Sequence, residues 1–237
     1  TTSGTLNYVN VSYSTDGGGN WTACSGGTQY GNTPNGNTTY NWTIPDKIGT
    51  NVRLKVCSFY DPNTTEACAL TNNFTINGWL VVTSPLNGNL FRAGNKMWIN
   101  WTPSGPSLGN LEINYSRDGT ENYIYHLGNR SYTPGFWEYT IPDDFVPNDI
   151  IKLRIRSINY TDVLNYTNGT FSIKGQVNLT YPDTGTFNVS DKINITWTKT
   201  GTIGNLTIKF ATDGANYTND IASNVLPGDL IYPNWTI

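Results

Sequence analysis

Apolar and polar residues alternate with a period of two along much of this 237-residue chain. The pattern is cleanest between Trp79 and Gly175. There Met97, Ile99 and Trp101 share one face of a predicted strand, as do Leu111, Ile113 and Tyr115. Trp137, Tyr139 and Ile141 form another set, and Ile151, Leu153 and Ile155 alternate with Lys152, Arg154 and Arg156. Successive side chains of an extended chain point to opposite faces, so each set predicts a half-buried strand. Leu80 to Thr83 opens the stretch, Tyr123 to His126 adds a short strand, and Phe171 with Ile173 closes it. Asn87-Gly88 and Asp118-Gly119 read as turns, and Pro142 ends its strand because it has no N–H for a ladder.

The pattern repeats. Trp42-Thr43-Ile44-Pro45-Asp46 returns 97 residues later as Tyr139-Thr140-Ile141-Pro142-Asp143, and 96 further on as Trp235-Thr236-Ile237. Val52 to Val56 matches Ile151 to Ile155, Phe74 to Gly78 matches Phe171 to Gly175, and Ile99 to Thr102 matches Ile195 to Thr198. Gly109-Asn110-Leu111 with Asp118-Gly119 matches Gly204-Asn205-Leu206 with Asp213-Gly214. About seven short strands per period, without helical periodicity, predict an all-β chain of tandem immunoglobulin-like or fibronectin-III-like β-sandwich repeats of about 97 residues. Pairing order is left open. Residues 79–175 form a complete repeat. Residues 1–78 lack the opening strands and 176–237 lack the closing ones. Half a sandwich exposes its core and edges, so two expectations stand: a window from a longer array, which is favoured, or completion by strand exchange between neighbouring chains.

The same alternation carries a second signal. Asn-x-Ser/Thr occurs at Asn10, Asn20, Asn37, Asn41, Asn63, Asn73, Asn100, Asn114, Asn129, Asn159, Asn165, Asn168, Asn178, Asn188, Asn194, Asn205, Asn216 and Asn234, never with proline in the middle. This composition would produce roughly six or seven by accident, so the excess is real. In most of these the middle residue is apolar, for example Val11, Trp42, Trp101, Ile195 and Trp235. With that residue inward, Asn and Ser/Thr point outward together. The plain reading is that Asn and Thr are unmodified polar partners of a strand. Composition weighs against it: only 13% of residues are charged, half or less of what a bare surface ordinarily carries. Covalent N-glycan would supply the missing hydration, and glycans on strand faces would block edge pairing and proteases.

Other features narrow the function. A net charge of −3 suggests neither nucleic acid nor an anionic membrane as partner. No apolar run is long enough to span a bilayer. His126 is the single histidine and has no nucleophile motif beside it, no carboxylate pair recurs between repeats, and Cys and His are too few for a metal site. An enzyme is not expected, nor any cofactor. Ser14-Thr15-Asp16-Gly17-Gly18-Gly19-Asn20-Trp21 resembles the Asp-box hairpin turn of sialidases and other secreted β-proteins, which implies an Asp-capped turn; Ser116 to Tyr123 and Ala211 to Tyr217 are degraded versions. Trp42, Trp101, Trp197 and Trp235 recur on inward positions and predict core. Trp98 falls outward and Trp79 at a repeat junction, as a sugar-stacking platform, as packing for the chain's own glycans, or as interface. Cys57 and Cys68 flank a final hairpin that a disulfide can span, with Cys24 able to pair with either. A disulfide agrees with an oxidising exterior.

The strands Gly-Asn-Leu-x-Ile-x-Tyr-Ser-x-Asp-Gly, Trp/Tyr-Thr-Ile-Pro-Asp and Ile-Lys-Leu-Arg-Ile-Arg-Ser together resemble the immunoglobulin-like tandem repeats of archaeal and bacterial cell-surface glycoproteins. More distantly they resemble the Ser/Thr-rich cell-wall domain of fungi. The sequon density is similar to that of archaeal surface layers and glycan-coated extracellular fibrils. The resemblance implies a structural segment of an extracellular fibril or cell-surface array, joined head to tail to copies of itself or to further repeats. The alternatives are a surface adhesin or carbohydrate-binding module, and an accessory region of a large secreted hydrolase.

Overall fold

The computed structural model describes residues 8–28, 40–59, 68–104 and 108–237. It is built from strands, with a single 3-10 turn at Pro227–Asp229 among the described residues. The stretch expected as the first repeat supplies β1 (Tyr8–Ser14), β2 (Thr22–Thr28), β3 (Gly49–Phe59), β4 (Cys68–Leu70) and β5 (Phe74–Ile76). These form one sheet in the order β2-β1-β3-β4, with β5 also on β3. The β1–β3 ladder runs antiparallel without a break from Tyr8↔Phe59 to Ser14↔Arg53. Val11 and Val52 are buried, and Trp42 packs between Tyr13 and Phe74 at centroid distances of 5.4 and 6.4 Å.

The middle repeat contains β6 (Trp79–Ser84), β7 (Leu90–Arg92), β8 (Lys96–Ser104), β9 (Asn110–Ser116), β10 (Tyr125–Ser131), β11 (Phe136–Thr140), β12 (Asn148–Ser157), β13 (Leu164–Tyr166) and β14 (Phe171–Lys174). One sheet runs β11-β8-β6 and the other β10-β9-β12-β14-β7, with β13 on the flank of β12. This is a Greek-key sandwich whose opening strand is shared: β6 joins the small sheet, and β7 crosses over to pair parallel with β14. Most inward residues read from the alternation are its core, whereas Tyr115, Trp137 and Tyr139 are half-buried. Met97, Ile99, Trp101, Ile113, Ile141, Ile151, Leu153, Ile155, Phe171 and Ile173 are all buried. Burying each aliphatic side chain contributes roughly 1.5–3 kcal/mol. One expectation needs correcting. The short strand placed at Tyr123 to His126 begins only at Tyr125. Tyr123 instead is buried outside the strand, stacked on Tyr166 at 5.2 Å.

The last repeat contributes β15 (Gln176–Tyr181), β16 (Lys192–Thr200), β17 (Leu206–Phe210), β18 (Asn219–Val225) and β19 (Ile231–Thr236), as sheets β15-β16-β19 and β17-β18. Trp101 and Trp197 are both buried and use the same anchor. Each indole N–H donates to a backbone carbonyl, of Tyr132 at 2.8 Å and of Pro227 at 3.2 Å. Between the two sheets of this repeat lies an apolar groove of about 480 Å³ lined by Leu179, Trp197, Ile208, Phe210 and Trp235, among others.

By compactness the chain forms two units. One comprises Thr1–Leu80, Pro103–Leu111 and Arg156–Leu164; the other comprises Val81–Thr102, Glu112–Ile155 and Asn165–Ile237. Each contains a joint of the same design. In the first unit, a Cβ on Gly78 would lie 2.8 Å from the Leu108 side chain and 3.0 Å from the Ser104 carbonyl oxygen. In the second, a Cβ on Gly175 would strike Ile203 and sit 2.9 Å from the Thr200 carbonyl. Gly78 and Gly175 are equivalent, as are Ser104 and Thr200. Both glycines are therefore required by space, Gly78 by Ile48 together with Leu108 and the Ser104 carbonyl, and Gly175 by Ile203 and the Thr200 carbonyl. In the second unit Thr202 N–H also donates to Phe145 O at 3.1 Å.

Candidate functional site

The candidate site is the set of sequon asparagines and the strand faces that carry them. In the first repeat Asn20, Asn41 and Asn73 are exposed and Asn10 is half-buried. In the middle repeat Asn129, Asn159 and Asn168 are exposed, whereas Asn100 and Asn165 are half-buried. In the last, Asn178, Asn188, Asn194, Asn205, Asn216 and Asn234 are all exposed. Asn37 and Asn63 lie outside the described residues.

Strand geometry explains the exposed positions. On β16, Ile195 and Trp197 are buried, which turns Asn194, Thr196 and Thr198 to the other face. Asn178 on β15 pairs with Thr198 across the ladder, and Thr180 bonds Thr196 hydroxyl to hydroxyl at 2.8 Å. Asn234 on β19 donates its backbone N–H to Asn194 Oδ1 at 3.1 Å. All three strands of this sheet thus carry an exposed sequon asparagine.

The expected outward pointing fails at Asn114. It is 6% exposed, and Ser116 is buried with it, although Ile113 beside them already faces the core. Both groups are closed over by partners. Asn114 Oδ1 accepts from His126 Nδ1 at 2.8 Å, and the Ser116 hydroxyl donates to Asp118 Oδ1 at 2.5 Å inside the turn. Asn165 is held differently, its Oδ1 accepting from Val82 N–H at 3.1 Å, and Thr167 of that sequon is buried with its hydroxyl accepting from Leu153 N–H. The apolar middle residue is not always inward either. Val189 is 88% exposed.

The Asp-box segment is a turn held by its own side chains. The Ser14 hydroxyl donates to Asp16 Oδ1 at 2.6 Å and accepts from Gly18 N–H at 2.8 Å. Asp16 also accepts from Asn20, backbone N–H at 2.9 Å and Nδ2 at 2.7 Å. These bonds, that from Ser14 foremost, hold the Asp16 carboxyl far below the usual carboxylate range. Asp118 is lowered to about 2, first by Ser116 and then by Thr120. Asp213 is lowered to about 2 by the backbone N–H groups of Asn216 and Ala215. The degraded turns therefore keep the same electrostatics. Each carboxylate accepts its hydrogen bonds from within its own turn.

Cys57 and Cys68, direct partners on β3 and β4, form a disulfide. Cys24 is buried and unpaired, and burial pushes its thiol pKa up. Among the described residues no three His, Cys, Asp or Glu gather as for a metal ion. No helix among them is long and apolar enough to cross a membrane. Trp98 and Phe136, 48% and 50% exposed, meet on the outer face of the small middle sheet.

No protein-family model and no curated protein matches the sequence. Among solved structures, the chain is similar to the fibronectin(III)-like modules of Clostridium thermocellum CbhA at 16% identity and a TM-score of 0.27, over 67% of this chain and 79% of that one. The strands and their pairing stand on the structure itself. At that TM-score the likeness adds nothing to them.

Proposed function

We propose that this chain is a structural segment of an extracellular, N-glycosylated array of head-to-tail β-sandwiches, with glycan in place of surface charge. The observation that carries the reading is the exposure of sequon asparagines in all three repeats, on strands and in turns alike. The two equivalent glycine joints support it, because one junction design used twice suits a string of repeats. The partners are further sandwiches of the same type and the covalent glycans. The disulfide accords with an oxidising exterior. No catalytic role is assigned: the lowered carboxylates are turn caps, fully exposed and bonded locally.

A second reading, an adhesin or carbohydrate-binding module, draws on the exposed Trp98–Phe136 pair. Electron microscopy of native material, with oligosaccharide titration monitored by tryptophan fluorescence, separates the two. The array reading expects beaded filaments and no response to free sugars. Dispersed particles whose fluorescence saturates with a free oligosaccharide would favour the module.

A further inference from the structure

We propose that Trp98 and Phe136 form an aromatic cradle for the first sugar of a glycan on Asn100, an inference that rests on the N-glycosylation reading above. The strand register places all three together. On β8 the buried Met97, Ile99 and Trp101 turn Lys96, Trp98, Asn100 and Thr102 to the outer face. Antiparallel β11 sets Phe136 opposite Asn100, Glu138 opposite Trp98 and Thr140 opposite Lys96. Asn100 therefore has one ring two residues back on its own strand and another directly across. Direct cross-strand partners hold their Cβ atoms about 4.5–5.5 Å apart, within reach of a sugar attached at Nδ2. The rings touch edge to face, centroids 5.7 Å apart at 64°. Trp98's own strand is pinned by the Ser84 hydroxyl, which donates to Trp98 O at 2.8 Å.

The chemistry matches that occupant. A saccharide ring offers a patch of polarised C–H bonds, which pack on the electron-rich face of an aromatic ring, with hydroxyls around the rim. The Lys96–Glu138 ion pair, at 2.8 Å, makes the next row of the face polar. Asn100 Oδ1 is buried without a hydrogen-bond partner, and the attached sugar brings hydroxyl donors beside it. The sequon's own Thr102 is exposed. A covalent sugar also has a high effective concentration over the rings, which a free ligand lacks. The last repeat supplies an internal contrast. One period on, Asn194 stands where Trp98 does and Thr196 where Asn100 does, so that sequon has no aromatic on its own strand at the matching place, and Asn194 Oδ1 already accepts from Asn234.

The test is a double-mutant cycle on the full chain from an N-glycosylating host, with glycopeptide mass spectrometry reading Asn100 occupancy. Both rings are exposed, so Trp98→Ala with Phe136→Ala leaves the core intact. Removing the glycan by Asn100→Gln is expected to lower the melting temperature by about 2–4 °C with the aromatics present, and by much less without them. Sugar C–H to Trp98 ring nuclear Overhauser effects in the unmutated glycoprotein give a readout free of any variant. Occupied Asn100 with no coupling and no such contacts overturns the cradle while glycosylation stands. A bare Asn100 overturns both at this position.

Discussion

Asp16, Asp118 and Asp213 each accept hydrogen bonds from the turn that contains them, and their lowered pKa values set a direction for acid stability. A carboxyl that titrates lower in the folded chain than in the unfolded one contributes stability only while ionised. That contribution is full above pH about 4, the unfolded range, and is lost as pH falls through about 2, where Asp118 and Asp213 protonate. Denaturation midpoints from pH 5 to 1.5 should therefore fall mainly below pH 4. Asp118→Asn together with Asp213→Asn should flatten that fall, and an unchanged profile would refute the turn account. The Asp16 and Asp118 turns were legible from Ser-x-Asp-Gly spacing, and the Asp213 turn, with Ala211 in place of Ser, from its Asp-Gly pair at the matching place of the pattern. The burial of Asn114 was not, because period two says which face a residue takes but not what lies over that face. The one available signal was Ser116, whose place in the turn motif draws its hydroxyl inward. Asn114, bonded to His126, is expected to be unmodified in site-resolved mapping of the folded glycoprotein.

At the level of strands and hairpins, the alternation foretold β8, β9, β11, β12 and β14 and most of their buried residues, while Tyr115, Trp137 and Tyr139 are half-buried. It did not foretell β7 or β13. Both are three residues long, too short to show a period, and both are strands only because a partner stands beside them. The β3–β4 hairpin is tied by the Cys57–Cys68 disulfide. The middle repeat has Arg156 where Cys57 stands, so the bond is an addition to the fold. Closing a loop of this length stabilises by about 3 kcal/mol through the unfolded chain. Cys57→Ser with Cys68→Ser should cost about that much in chemical denaturation, with the β1–β3 ladder retained. Loss of the fold altogether would show that the small first-repeat sheet depends on the bond more than its packing implies.

Across the whole chain, a 96–97 residue spacing of sequence landmarks was readable. The joints were not, since Gly78 and Gly175 look like ordinary turn glycines until a neighbouring loop is seen against them. Neither is required by a left-handed backbone; both are required by space. Gly175→Ala must displace both Ile203 and the Thr200 carbonyl, and Gly78→Ala must displace Ile48 and Leu108, so each should destabilise by about 1–3 kcal/mol. Thermal unfolding of the two variants checks this, and neutral substitutions would show that the joints do not need glycine. The central claim, that glycan replaces charge on the faces of these sandwiches, is tested most directly by site-resolved glycopeptide mass spectrometry of native material. The account predicts glycan at most of the exposed positions, including Asn178, Asn194 and Asn234 on one sheet, and none at Asn114. Bare asparagines across those exposed strand faces would contradict it.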